Sequence, residues 1–145
     1  PNTAKGTKFR ILMGNGASPQ VFAALCGLTA KSINFQTQTN DFYVPDCTNP
    51  DDPAWREITK SGKSATISGQ GTLNMDSHEA FFEAWEDPDS RSYRVELNVG
   101  AANNGGYWAG LFNLTQYNVT GNDGELITAE LTLENDGPIA WVPAV

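Results

Sequence analysis

Hydrophobic positions recur every second residue over most of this chain, the period of a strand with one face buried. In TKFRILMG, Phe9, Ile11 and Met13 share a face, and Gly14 to Gly16 offers a tight turn into QVFAAL, so the two segments read as a hairpin. KSINFQTQ sets Ile33 and Phe35 against Ser32, Asn34 and Gln36. SATISGQGTLNM places Ala65, Ile67, Leu73 and Met75 opposite Ser64, Thr66, Ser68, Gln70 and Thr72, which predicts a long strand with a bend or bulge at Gly69 and Gly71. SYRVELNV alternates Tyr93, Val95, Leu97 and Val99 with Arg94, Glu96 and Asn98. In YWAGLFNLTQYNVTG the apolar set changes phase between Leu114 and Tyr117, which predicts a bulge near Thr115. Gly121 to Glu125 then closes a hairpin into LITAELTLE, with Ile127, Ala129, Leu131 and Leu133 inward and Thr128, Glu130, Thr132 and Glu134 outward.

Two segments break this period. Asp76 and Glu79 form a capping box, His78, Phe81, Phe82 and Trp85 follow helical spacing, and Asp87-Pro88 is a stop, so one amphipathic helix is expected with its aromatic face on a sheet. FYVPDCTNPDDPAWREI, Phe42 to Ile58, is polar, rich in proline and without periodicity, so it reads as a long loop at about 40–60. The expected architecture is mainly β, an antiparallel sandwich or barrel with one flanking α-helix. It forms a single domain over 1–145 with extended N- and C-terminal segments. A chain of 145 residues, 39% of them hydrophobic, suits one core that buries about 70% of its unfolded surface.

Charge narrows the partners. A net charge of −8 disfavours adhesion to nucleic acid or to anionic membranes, yet suits a surface past which DNA must slide. No run reaches the roughly 18 apolar residues of a membrane helix, and the opening PNTAKGTKFRILMG lacks the apolar stretch of a secretory signal, so a soluble chain without membrane insertion is expected. Cys26 and Cys47 are too few for a disulfide scaffold. Cys26 reads as a small buried residue and Cys47 as a free thiol, with a bridge between them left open.

No catalytic constellation emerges. The lone His78 sits in the first helical turn, and Asp41, Asp46, Asp51, Asp52 and Glu57 lack the glycine-centred spacing of a calcium loop. Neither these carboxylates nor Glu83, Glu86 and Asp87 have a separation that sequence can fix for a hydrolase pair. The glycine-rich Gly100 to Trp108 lacks the lysine of a phosphate loop, and the NLT and NVT triplets at Asn113 and Asn118 fall in strands. No enzyme, cofactor or metal is therefore expected. A sugar-binding platform is the alternative: Trp85 and Trp108 follow the core pattern, which leaves Trp55 and Trp141 to meet a partner.

The order KGTKFRILMGNG…GLTAKSINF, the long segment to WREI, SATISGQGTLN, the capped helix and the closing LTLENDGPI resembles the major tail tube protein of long-tailed, non-contractile bacteriophages and gene transfer agents, over nearly the whole chain. That resemblance implies a structural virion protein, assembled in the host cytoplasm. Six copies would form a ring with a β-lined, electronegative channel, rings would stack helically into the tail tube, and viral DNA would cross the lumen without specific binding. Tail tip, tape measure and tail terminator proteins are the implied partners beside the chain itself. Under this reading Asp46, Cys47, Asn49, Asp51, Asp52, Trp55, Arg56 and Trp141 are candidates for contacts between subunits and rings, and Glu96, Glu130 and Glu134 for the lumen wall. Arg94 departs from a purely acidic wall.

Overall fold

The computed structural model describes residues 2–14, 22–24 and 27–145. The elements run β1 (Phe9–Gly14), β2 (Phe22–Ala24), β3 (Leu28–Val44), β4 (Trp55–Thr72), α1 (Met75–Glu86), β5 (Arg91–Leu97), β6 (Gly106–Thr120), β7 (Thr128–Asn135) and β8 (Ala140–Pro143), with single 3-10 turns at Gly6–Lys8 and Ala101–Asn103. They form one curled antiparallel sheet in the order β2-β1-β5-β6-β7-β4-β3, with β8 also on β6. The β1–β2 hairpin is present, whereas its turn beyond Gly14 and Cys26 lie outside the described residues.

The period-2 pattern places the core. Ile11, Ala65, Ile67, Tyr93, Val95, Phe112, Leu114, Ala129, Leu131 and Leu133 are all buried, and the registers Ile11↔Val95 and Ile67↔Leu133↔Leu114 line them up on one face. Tyr93 meets Phe112 edge-on at 6.2 Å. The expected bulge at Thr115 is there: pairing with β7 slips between Leu114 and Gln116, which keeps the apolar residues on the core side after the phase change.

Several expectations at element ends need correction. Gly69 and Gly71 do not bend β4, whose pairing with β7 runs unbroken from Thr66 to Thr72. They provide room instead: a Cβ on Gly71 would sit 2.0 Å from the Gly27 carbonyl oxygen, and one on Gly69 would sit 3.0 Å from Leu28. The helix cap is Asn74 rather than Asp76, because Asn74 Oδ1 accepts the Asp76 N–H at 2.9 Å. Met75 therefore belongs to α1 and not to β4. Ile127 precedes β7 and is half-exposed.

The C-terminal segment is not free. The Asp136 N–H donates to Leu111 at 2.8 Å, and β8 then continues along the β6 edge that β7 has left, from Ala140↔Ala109 to Pro143↔Gly106. Gly137, at φ 100°, takes up the irregularity between the two strands.

The loop expected at about 40–60 is largely strand. β3 runs on to Val44 and β4 starts at Trp55, so only 45–54 is a loop, at the tip of a long β-ribbon. Residues Phe35–Ala65 form a compact unit of their own, and the rest of the chain forms the other. Within the ribbon, Ser61 Oγ donates to the Gln38 carbonyl at 3.1 Å. The tip is organised by its own chemistry. Asp46 Oδ1 accepts the Thr48 N–H at 2.8 Å, and Asn49-Pro50-Asp51-Asp52 closes through Asp52 N–H to Asn49 at 3.1 Å, with proline at the second turn position, which suits its fixed φ.

Candidate assembly surfaces

Three surfaces could carry function, and none is a cleft. The first is the face of the sheet opposite the core. Register places Thr66, Asn113 and Glu134 in one row, Ser68, Thr132 and Gln116 in the next, then Gln70, Glu130 and Asn118. Glu130 and Glu134 are exposed there among hydroxyls and amides. Further along the same face Glu96 is half-buried and meets Arg10 at 2.8 Å, and Arg94 lies 4.4 Å over the Tyr107 ring. Of the three lumen candidates, Glu130 and Glu134 thus present exposed carboxylates, while the charge of Glu96 is balanced within the chain. The depressions on this face, such as one bounded by Lys31, Ser68, Gln70, Glu130 and Thr132, are shallow and polar.

The second surface is the ribbon. Trp55 is 86% exposed, and Phe42, Tyr43, Val44 and Ile58 are exposed beside it. Asp46, Cys47, Asn49, Asp51, Asp52 and Arg56 are exposed at or next to the tip, and Cys47 is a free thiol. Of the contact candidates, Trp141 is placed differently: its ring packs on Trp108, 4.8 Å between centroids, at the β6–β8 pairing.

The third surface is the outer side of α1, which sequence reasoning assigned to the core. Phe81 and Ala84 are buried and His78 Nδ1 lies 2.9 Å from the Tyr117 hydroxyl, whereas Met75, Phe82 and Trp85 are 67%, 44% and 51% exposed. Phe82 and Trp85 touch each other, with 6.0 Å between ring centroids. A signal existed in the helix's apolar residues, which cover more of its circumference than one buried stripe requires.

Among the described residues, no group of three His, Cys, Asp or Glu side chains gathers to hold a metal. The shifted ionisations are structural. Burial pushes the Tyr93 hydroxyl up to about 12 and raises Tyr117, and the Asp89 N–H together with Arg91 lowers Asp87.

Comparison with known proteins agrees with an assembly role. The family model described as phage tail tube protein matches residues 3–140. No curated protein matches the chain. Among solved structures, the fold is similar to the tail of an empty gene transfer agent particle computed with C6 symmetry, with a TM-score of 0.80 and 23% identity over 97% of this chain and 99% of that one. It is similar to a chain in the virion of a native gene transfer agent particle, with a TM-score of 0.77 and 22% identity over 97% and 99%. The SPP1 tail tube gives a TM-score of 0.73 at 7% identity, over 99% and 81%. The sugar-binding alternative gains nothing from these comparisons, and the Trp108–Trp141 and Phe82–Trp85 pairs turn three of the four tryptophans toward aromatic neighbours.

Proposed function

We propose, on the premise that this chain belongs to the phage tail tube protein family, that six copies close into a ring and that stacked rings form the conduit for DNA leaving the particle. The chain is a structural component of a virion tail tube, and it acts by assembly rather than by catalysis. The observation that carries the reading is a sheet with one buried, largely apolar face and one largely polar face, ending in β2 and β3, whose outer edges are open for pairing among the described residues. An open edge is ordinarily a liability, but here it lets the sheet of one copy continue into the next. The C6 tail of the gene transfer agent supports the six-fold order.

In this reading the polar face lines the lumen. Glu130 and Glu134 repel phosphates there among uncharged Thr, Ser and Gln side chains, and the cation of Lys31 borders the same depression as Glu130, whose carboxylate offsets it, so the DNA slides. Arg10 and Arg94 are occupied by Glu96 and the Tyr107 ring, which weakens their hold on a passing phosphate. The ribbon, with Trp55 as its anchor and Asp46, Cys47, Asn49, Asp51, Asp52 and Arg56 around it, reaches a copy in the neighbouring ring. Tail tip, tape measure and terminator proteins meet the finished tube, which grows in the host cytoplasm. Negative-stain microscopy of the purified chain should show hollow rings or tubes with six-fold projections. A protein that stays monomeric at every concentration and binds a glycan would overturn the reading.

A further inference from the structure

The ribbon has two chemically different faces. Along β3, Phe42 and Val44 lie on the same side as Gln38, and along β4, Arg56, Ile58 and Lys60 lie on the same side as Gly62. A Cβ on Gly62 would touch the Gln38 side chain at 3.6 Å, so both sets occupy one face of the ribbon. That face is apolar and basic. The reverse face carries Tyr43 and Trp55 with Asp41 and Glu57, and farther from the tip Lys63, so toward the tip it is aromatic and acidic.

The outer side of α1 complements the first of these. Met75, Phe82 and Trp85 form its exposed apolar stripe, and Glu79 and Glu86 stand on the same outer side, in a helix whose sequence MDSHEAFFEAWE has no lysine or arginine. The spacings agree. Arg56 and Lys60 are about 13 Å apart along a strand, and Glu79 and Glu86 about 10 Å apart along a helix, a difference that long side chains absorb. The reverse face would bring Asp41 and Glu57 against these glutamates, and like charges across an interface are costly.

We propose that the apolar, basic face of the ribbon of one copy docks on the outer side of α1 of a second copy, with Arg56 and Lys60 set against Glu79 and Glu86. The proposal rests on the tube reading above and gives a receiving surface to the face of the ribbon opposite Trp55, whose own contact in that reading is a separate one. The partner is a second copy because the two charge sets come from the same chain, are opposite in sign and are similar in spacing.

Charge reversal in the full chain tests the pairing. Both Arg56→Glu with Lys60→Glu and Glu79→Lys with Glu86→Lys should raise the concentration needed for tube formation by about tenfold or more. The chain carrying all four reversals should return to within about threefold of the unmodified protein, with monomer melting curves serving as the fold control. Either pair assembling normally, or the four-fold variant failing to recover, overturns the pairing and leaves the tube reading intact. A second measurement covers variants that fold poorly. In a Cys47→Ser background, a copy with Ile58→Cys should form a disulfide with a copy carrying Phe82→Cys once tubes have assembled, and tubes without that link overturn the pairing as well. If the unmodified protein forms no tubes at all, the tube reading itself fails and the pairing with it.

Discussion

At the scale of single residues, the apolar face is built from side chains whose position the sequence already announces. Tyr93, Val95, Leu131 and Leu133 fall on the inward phase of clean alternations and are buried, because a strand with one face on a core has to write that face into every second residue. Tyr93 supplies a direct reporter of this packing. Its hydroxyl is pushed up to about 12 from 10 by burial, so its contribution to stability is complete below about pH 10 and is lost as pH rises through about 12. The shift corresponds to roughly 2–3 kcal/mol. Tyr93→Phe keeps the edge-on contact with Phe112 and removes the titrating group, so it should lose less stability than the unmodified protein between about pH 9 and about pH 12. Urea unfolding at both ends of that range measures the difference, and equal losses would show that Tyr93 is not buried as described. The outward residues of α1 were not legible in this way: Phe82 and Trp85 are spaced like core residues, and nothing in the spacing tells which part of a wide apolar arc meets the sheet.

At the scale of elements, β5, the paired parts of β6 and β7, the Thr115 bulge and the helix stop at Asp87 were all readable. The ribbon was not. Residues 39–44 and 55–63 are strand, but neither face of the ribbon is buried, so no period of two is written into them and their mixed polarity imitates a loop. The glycines of β4 were misread for a related reason: the demand on Gly71 comes from the Gly27 carbonyl, distant in sequence, and not from a local bend. Because Phe35–Ala65 is a compact unit of its own and none of Asn49 to Ala54 is buried, deleting those six residues should leave the melting temperature of the subunit nearly unchanged while blocking the growth of tubes from rings. Calorimetry paired with microscopy checks both halves, and tubes of normal length from the shortened chain would remove the ribbon from ring stacking.

At the scale of the whole molecule, a net charge of −8 is not sufficient to explain passage of DNA, because salt confines electrostatic repulsion to about 8 Å in physiological buffer. Only side chains on the wall itself act on a strand in the lumen. Under the proposed reading, the placement of Glu130 and Glu134 on the polar face therefore matters more than the total, and the pairing of Arg10 with Glu96 would remove an attractive site. The resemblance in sequence reached the family and the fold, since the order of elements and the closing LTLENDGPI run the length of the chain, but it could not tell which strands face the channel. A helical reconstruction of the assembled tube by electron cryo-microscopy tests this most directly. The account predicts six-fold rings with Glu130, Thr132 and Glu134 on the lumen wall and the ribbon of each subunit seated on another copy. A tube whose lumen is lined by other strands, with Glu130 and Glu134 on the outside, would contradict it.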